Sequence, residues 1–171
     1  MLFHPGGALR ITQAKAYAKD YMRYTKYETA EVGVRYTDKN GTWERTTFTS
    51  RVDGVTVTKL TASSDGVKVN CTLSFDNLSA FANYGGGNEV DLQYKKLASA
   101  DGDMLALVAH YPDYENSELK NGGYATVTYI VCEGGTKQVA EGEDVPDTQY
   151  VGAGNPQIQI ENADAVYLLT V

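Results

Sequence analysis

The sequence predicts an all-β fold, an antiparallel β-sandwich of the supersandwich type with at most one short helix. Three observations predict it. Apolar and polar residues alternate over most of the chain, which is the period-2 pattern of half-buried strands. The runs are short and recur at hairpin spacing. Their connectors carry Asn-Gly, Asp-Gly and Gly-Gly pairs, which tolerate the positive φ of tight turns. Many short strands joined in this way close into two packed antiparallel sheets.

The chain enters a strand-like run at Gly7–Ile11. The next stretch dissents. Ala14, Tyr17, Ala18, Tyr21 and Met22 fall at helical spacing, with Lys15, Lys19 and Asp20 on the other side. This pattern fits an amphipathic helix of about three turns, whereas its tyrosines favour an extended crossing; both readings stand. Val32, Val34 and Tyr36 then alternate with Glu31, Gly33, Arg35 and Thr37 up to Asp38-Lys39-Asn40-Gly41, a hairpin turn. The return strand Thr42–Ser50 is rich in Thr and carries Trp43, expected as a half-buried cross-strand partner of a tyrosine rather than a sugar platform. Arg35 and Glu44 come within reach of each other across this hairpin, where an exposed pair contributes little. Val55–Ala62 follows. After the turn Ser63–Gly66, the residues Val67, Val69, Cys71, Leu73 and Phe75 share one face of a further strand. Strand-like runs recur at Val90–Tyr94, Met104–His110, Tyr124–Cys132, Thr136–Ala140, Gln157–Glu161 and Ala165–Val171. Phe81–Asn88, with three consecutive glycines, and the acidic stretch Glu141–Pro156 read as loops.

At 171 residues one domain, spanning residues 1–171, is the default, and its core needs no staples. A formal net charge of −7 argues against nucleic acid, whose phosphates need a basic face, and against anionic lipid. No apolar run has the length of a membrane span. Cys71 and Cys132 are the only cysteines. They pair if their strands are neighbours and otherwise remain buried free thiols. Neither a metal site nor a cofactor motif is present in the sequence: the cysteines are too few for tetrahedral zinc and no histidine lies near them. Asp38, Asp65, Asp101 and Asp103 lie in turns, where their expected role is turn chemistry. No catalytic residue is assigned. The candidate substrate-binding or domain-docking residues are His110, Tyr111, Asp113 and Tyr114, with Glu115 beside them. They gather a histidine, rings and carboxylates at one strand end, a mixture that suits sugars as well as a docking surface. The loop they open, His110–Gly123, is longer than a hairpin needs. His4 reads as a residue of the chain terminus. The chain starts and stops within strand-like runs, which reads as a piece of a longer multidomain polypeptide, truncated at both ends.

The order of these motifs resembles the N-terminal β-sandwich of family 95 glycoside hydrolases, the α-L-fucosidases. Pro5-Gly6-Gly7-Ala8-Leu9-Arg10-Ile11 is similar to that domain's entry strand, and Arg45-Thr46-Thr47-Phe48-Thr49-Ser50 to its "RE.FAS" hairpin return. Val55–Ala62, Gly123–Gly135 and Ala163-Asp164-Ala165-Val166-Tyr167-Leu168-Leu169 follow in the family's order. There are departures. Ala8 replaces an acid of the entry motif, and Arg23–Ala30 lacks the family's Leu-Asp-Leu core. The resemblance implies that this is a non-catalytic domain, inactive alone, of an inverting glycoside hydrolase acting on fucosylated glycans. It implies packing on an (α/α)6 catalytic barrel of the same chain that holds the catalytic groups, with part of the sandwich surface apolar for that reason. Carbohydrate is a candidate partner, and a secreted or cell-surface bacterial enzyme is favoured over a cytoplasmic one. The rival is a free-standing carbohydrate-binding or adhesin-type sandwich, which the thirteen tyrosines and single Trp also suit.

Overall fold

A computed structural model of the chain describes residues 6–63, 65–76, 93–111, 122–142 and 154–171. His4, the three-glycine loop, most of the acidic stretch, and Asp113, Tyr114 and Glu115 lie outside the described residues. The described residues form strands β1 (Leu9–Thr12), β2 (Lys19–Lys26), β3 (Glu31–Asp38), β4 (Gly41–Ser50), β5 (Val55–Ala62) and β6 (Val69–Phe75). After these come β7 (Gln93–Ala98), β8 (Met104–His110), β9 (Gly123–Glu133), β10 (Thr136–Glu141), β11 (Pro156–Ala163) and β12 (Ala165–Thr170). They make two antiparallel sheets of unequal width. The smaller has four strands in the order β1-β6-β11-β10, and the larger has eight in the order β2-β3-β4-β5-β12-β9-β8-β7.

The core forms where the small sheet lies over the large one. Val69, Cys71, Leu73 and Phe75 point inward from β6, and Ile158 and Ile160 from β11. They meet Leu60, Leu105, Leu107, Ile130, Val166 and Leu168 of the large sheet. Burying each such side chain stabilises the fold by roughly 1.5–3 kcal/mol. Alternation fixes this face, because a slip of one residue would turn every apolar side chain outward. Cys71 and Cys132 belong to this interior but to opposite sheets, and both are free thiols. Burial, helped by the nearby Cys132, pushes the Cys71 thiol up to about 12.

The Asn-Gly hairpin forms as expected. Asp38 pairs with Gly41, and its Oδ1 accepts the Asn40 and Gly41 N–H groups at 2.7 and 3.1 Å. The stretch from Ala14 to Met22 is extended: β2 begins at Lys19, and the described residues contain no helix. Pairing of Met22–Lys26 with Glu31–Arg35 gives the backbone a ladder, and Tyr17 remains exposed with no core for a helix face to cover. The strand is irregular where it starts, with a register shift after Lys19 and Asp20 at φ 50°. Gly33 is needed one strand in. The Tyr24 ring lies across it, and a Cβ at Gly33 would stand 2.1 Å from Tyr24 Cζ.

The unequal widths set the functional geometry. A four-stranded sheet cannot cover an eight-stranded one, so the inner face of β2, β3 and β4 continues past the edge strand β1. The outer face of the large sheet has no second layer among the described residues.

Candidate functional site

Two rows on the outer face of the large sheet are apolar where an ordinary solvated face would be polar. Strand register places Phe48 opposite Val57, Val57 opposite Leu169, Leu169 opposite Tyr129, and Tyr129 opposite Met104. This is one unbroken row across five strands. A second row runs beside it. Val171 and Val127 exchange two backbone hydrogen bonds of 2.9 Å, Val127 stands opposite Ala106, and Ala106 opposite Leu97. Phe48, Tyr129 and Leu97 are 40%, 49% and 48% exposed. The line on the other side of the first row, Lys59–Tyr167–Val131, is more polar: Tyr167 donates to Glu133 Oε1 at 3.0 Å, and Lys59 Nζ sits 5.1 Å from the centre of its ring.

The residues singled out from the sequence divide here. β8 and β9 are adjacent strands, as their apolar runs suggested. His110 closes β8, exposed, in register with Gln93 and Gly123 and on the same outer face as the apolar rows. Tyr111 turns the other way. Its N–H donates to the Gly122 carbonyl at 2.8 Å, and its ring packs 6.0 Å from Tyr124 against the core. The two are neighbours in sequence but serve different surfaces. Asp113 and Tyr114 cannot be placed with them, since they lie outside the described residues.

Among the described residues, the concavities on the inner side include one beneath β1 and one beneath the hairpin tip. The larger, about 710 Å³, is the groove under β1 left by the narrow sheet. Arg23 and Arg45 flank Val34 across three strands on its floor, with Thr47 and Thr58 beside them, and no carboxylate lines it. Arg35 and Glu44, on the opposite face, are in direct register. Glu44 there accepts from the Tyr24 hydroxyl at 2.8 Å, which, ahead of burial, raises the Tyr24 pKa. The smaller concavity, about 410 Å³, lies under the hairpin tip. Trp43 forms its inner wall, opposite Tyr36 as expected, and it is buried in the core. Sequence reasoning missed this cleft, because it is assembled from the hairpin, the chain after β1, the start of β6 and the bulge of β11. Among the described residues no group of three His, Cys, Asp or Glu side chains could hold a metal ion.

Taken together, these features describe a two-sheet β-sandwich with one core and one sheet face whose apolar rows no other element covers among the described residues. The family model of the glycosyl hydrolase family 65 N-terminal domain matches residues 2–170, and the chain belongs to that family. The membership is coarser than the sequence resemblance: it supports an N-terminal β-sandwich domain of a glycoside hydrolase, not family 95 in particular. No curated protein matches the chain.

Proposed function

We propose that residues 1–171 form one non-catalytic domain of a longer α-L-fucosidase-like glycoside hydrolase, and that this domain packs on an (α/α)6 catalytic barrel of the same polypeptide. The observation that carries the reading is the pair of apolar rows on the outer face. A β-sheet with a complete core on one side and Phe48, Tyr129, Leu169 and Leu97 on the other is built to be covered on both. Family membership names the kind of neighbour, the remainder of a glycoside hydrolase. The fucose assignment rests on the ordered motifs that resemble family 95. His110, on the same face, would meet the barrel or the rim of its pocket. Tyr111 would hold the loop root against Tyr124, with Asp113 and Tyr114 following in that loop.

The test uses the full-length parent and the isolated chain side by side. With an aryl α-L-fucoside, the parent is expected to release fucose and the chain of residues 1–171 none. Enzyme-proportional release by the isolated chain overturns the non-catalytic assignment. A parent active on other aryl glycosides but not on the fucoside overturns the fucosidase assignment and leaves the domain reading intact.

A further inference from the structure

Two guanidinium groups on the inner side of the large sheet have no counter-charge. Arg23 stands opposite Val34, and Val34 opposite Arg45, so both arginines belong to one row on the floor of the groove beneath β1. Neighbouring strands lie about 4.8 Å apart, which sets the two arginine backbones roughly 10 Å apart, with a long side chain on either side of Val34. Among the described residues neither arginine is in an ion pair, and no carboxylate lines the groove. Other arginines of these strands do meet an acid. Arg10, on β1, binds Asp76 through both carboxylate oxygens, at 2.5 and 2.9 Å, and Arg35 stands opposite Glu44. Glu44, the acid next to Arg45 in sequence, faces the other side of the sheet and accepts from the Tyr24 hydroxyl. In a chain with 22 acidic and 15 basic residues, two arginines held in one row without an acid repel each other and make the groove locally positive. A bound anion relieves both.

The rest of the groove selects the kind of anion. Its volume of about 710 Å³ is that of a site for a small molecule rather than a lone ion. The next row along the sheet is Thr25, Val32, Thr47 and Thr58. The Thr47 and Thr58 hydroxyls bond each other at 2.9 Å, and each oxygen retains capacity to accept a further bond. Leu9 and Ile11 of β1 add aliphatic surface to the same groove. A guanidinium grips a planar carboxylate with two parallel N–H donors. A row of hydroxyls matches a body that carries hydroxyls, and aliphatic side chains match its C–H faces. A sugar acid has all three features. Inorganic phosphate would satisfy the arginines and leave the threonine row and the β1 side chains unused. We propose that the groove beneath β1 binds an acidic sugar of the hexuronate class, its carboxylate between Arg23 and Arg45 and its ring hydroxyls over Thr25, Thr47 and Thr58. The proposal rests on the groove alone and stands or falls apart from the fucosidase reading.

The isotope-labelled chain would be titrated with D-glucuronate and D-galacturonate, followed through the Arg23 and Arg45 Nε–H resonances and the Val32 and Val34 methyls. D-glucose serves as the ring without the carboxylate, and acetate and inorganic phosphate as anions without the ring. The expected result is a saturable shift with at least one of the two uronates, at a dissociation constant in the millimolar range that rises with added salt. Glucose, acetate and phosphate should each bind at least about tenfold more weakly. Arg23→Gln and Arg45→Gln, followed through the valine methyls, should each weaken uronate binding about tenfold, the worth of one charge-assisted hydrogen bond. Arg45→Lys keeps the charge but not the fork and should recover only part of that loss. No saturable shift with either uronate overturns the proposal. Equal affinity for acetate or phosphate would mean an adventitious ion only, and equal affinity for glucose would leave the arginines without a role; each overturns it as well. The wild-type titration decides this even if a variant fails to fold.

Discussion

Strand β9 shows two faces of nearly equal hydrophobicity and unequal fate. Thr128, Ile130 and Cys132 alternate inward; Thr128 and Ile130 lie in the buried interior and Cys132 packs half-buried against it. Val127, Tyr129 and Val131 alternate outward, and Tyr129 and Val131 remain exposed. The same holds for β12, where Val166 and Leu168 face the core while Tyr167 and Leu169 face out. A strand that is apolar at successive positions is written for a sheet covered on both sides. Here one cover is the small sheet. The comparison teaches that the core and the proposed docking surface lie on opposite faces of the same strands, so substitutions one residue apart should separate stability from docking.

The largest effect is expected on the inner face. Ile130→Ala removes a fully buried side chain and should destabilise the isolated chain by about 2–5 kcal/mol, transfer and cavity terms together. Chemical denaturation checks it. A loss comparable to that of Val131→Ala on the outer face would break the comparison, since it would mean that both faces are equally packed.

A second test of the interior uses pH. The Cys71 thiol has an ordinary value of 9.0 and is raised by burial to about 12 in the fold. Between those two values the unfolded chain has lost the proton and the folded chain still holds it. Stability therefore falls as pH rises from 9 towards 12, and this contribution is fully present below 9. Cys71→Ala should flatten the decline measured by denaturation across that window. An unchanged slope would place the origin elsewhere, for instance in the tyrosines.

Much of this partition was legible in the residues. The inward set Val69, Cys71, Leu73 and Phe75 followed from alternation alone, and the turn at Asp38–Gly41 from its Asn-Gly pair. Both depend on local rules, a period of two and the φ tolerance of Gly. The Ala14–Met22 stretch was ambiguous because spacing and composition disagree, and strand pairing with β3 decides it, which no local rule contains. Pairing of β6 with β11 joins segments more than eighty residues apart, so the division into a four-stranded and an eight-stranded sheet was hidden. The Trp43 cleft depends on that division. The outer face did leave a signal, the successive apolar residues Val166–Leu169, which alternation as a criterion passes over. His110 stands at a strand end, where the sequence cannot say to which face it turns.

A smaller effect is expected at the margin of the large sheet. Gly33→Ala would place a methyl against the Tyr24 ring. The ring tip can swing outward, so the cost is the hydrogen bond to Glu44 and some packing, about 1 kcal/mol. The Tyr24 pKa, raised first by that hydrogen bond, should then fall back towards the ordinary tyrosine value, which a phenolate titration reads. A much larger loss would show that the edge β2-β3 is packed as rigidly as the core.

The smallest effect on stability, and the sharpest on partnership, is expected from Phe48→Ser with Tyr129→Ser. Both side chains stand on the outer row and are close to half exposed. Each substitution in the isolated chain should stay within about 0.5 kcal/mol, as for surface positions generally, apart from a small loss of strand propensity. Its solution behaviour should change: less binding of a hydrophobic dye and less self-association, because a contiguous apolar patch is interrupted. In the full-length parent the same pair should loosen the contact with the rest of the enzyme, seen as a lower midpoint of thermal unfolding or faster proteolysis between domains. If the isolated chain loses several kcal/mol, the outer face is already covered within the domain. If the isolated chain and the parent both behave as wild type, the rows are not a docking surface and the proposed packing fails.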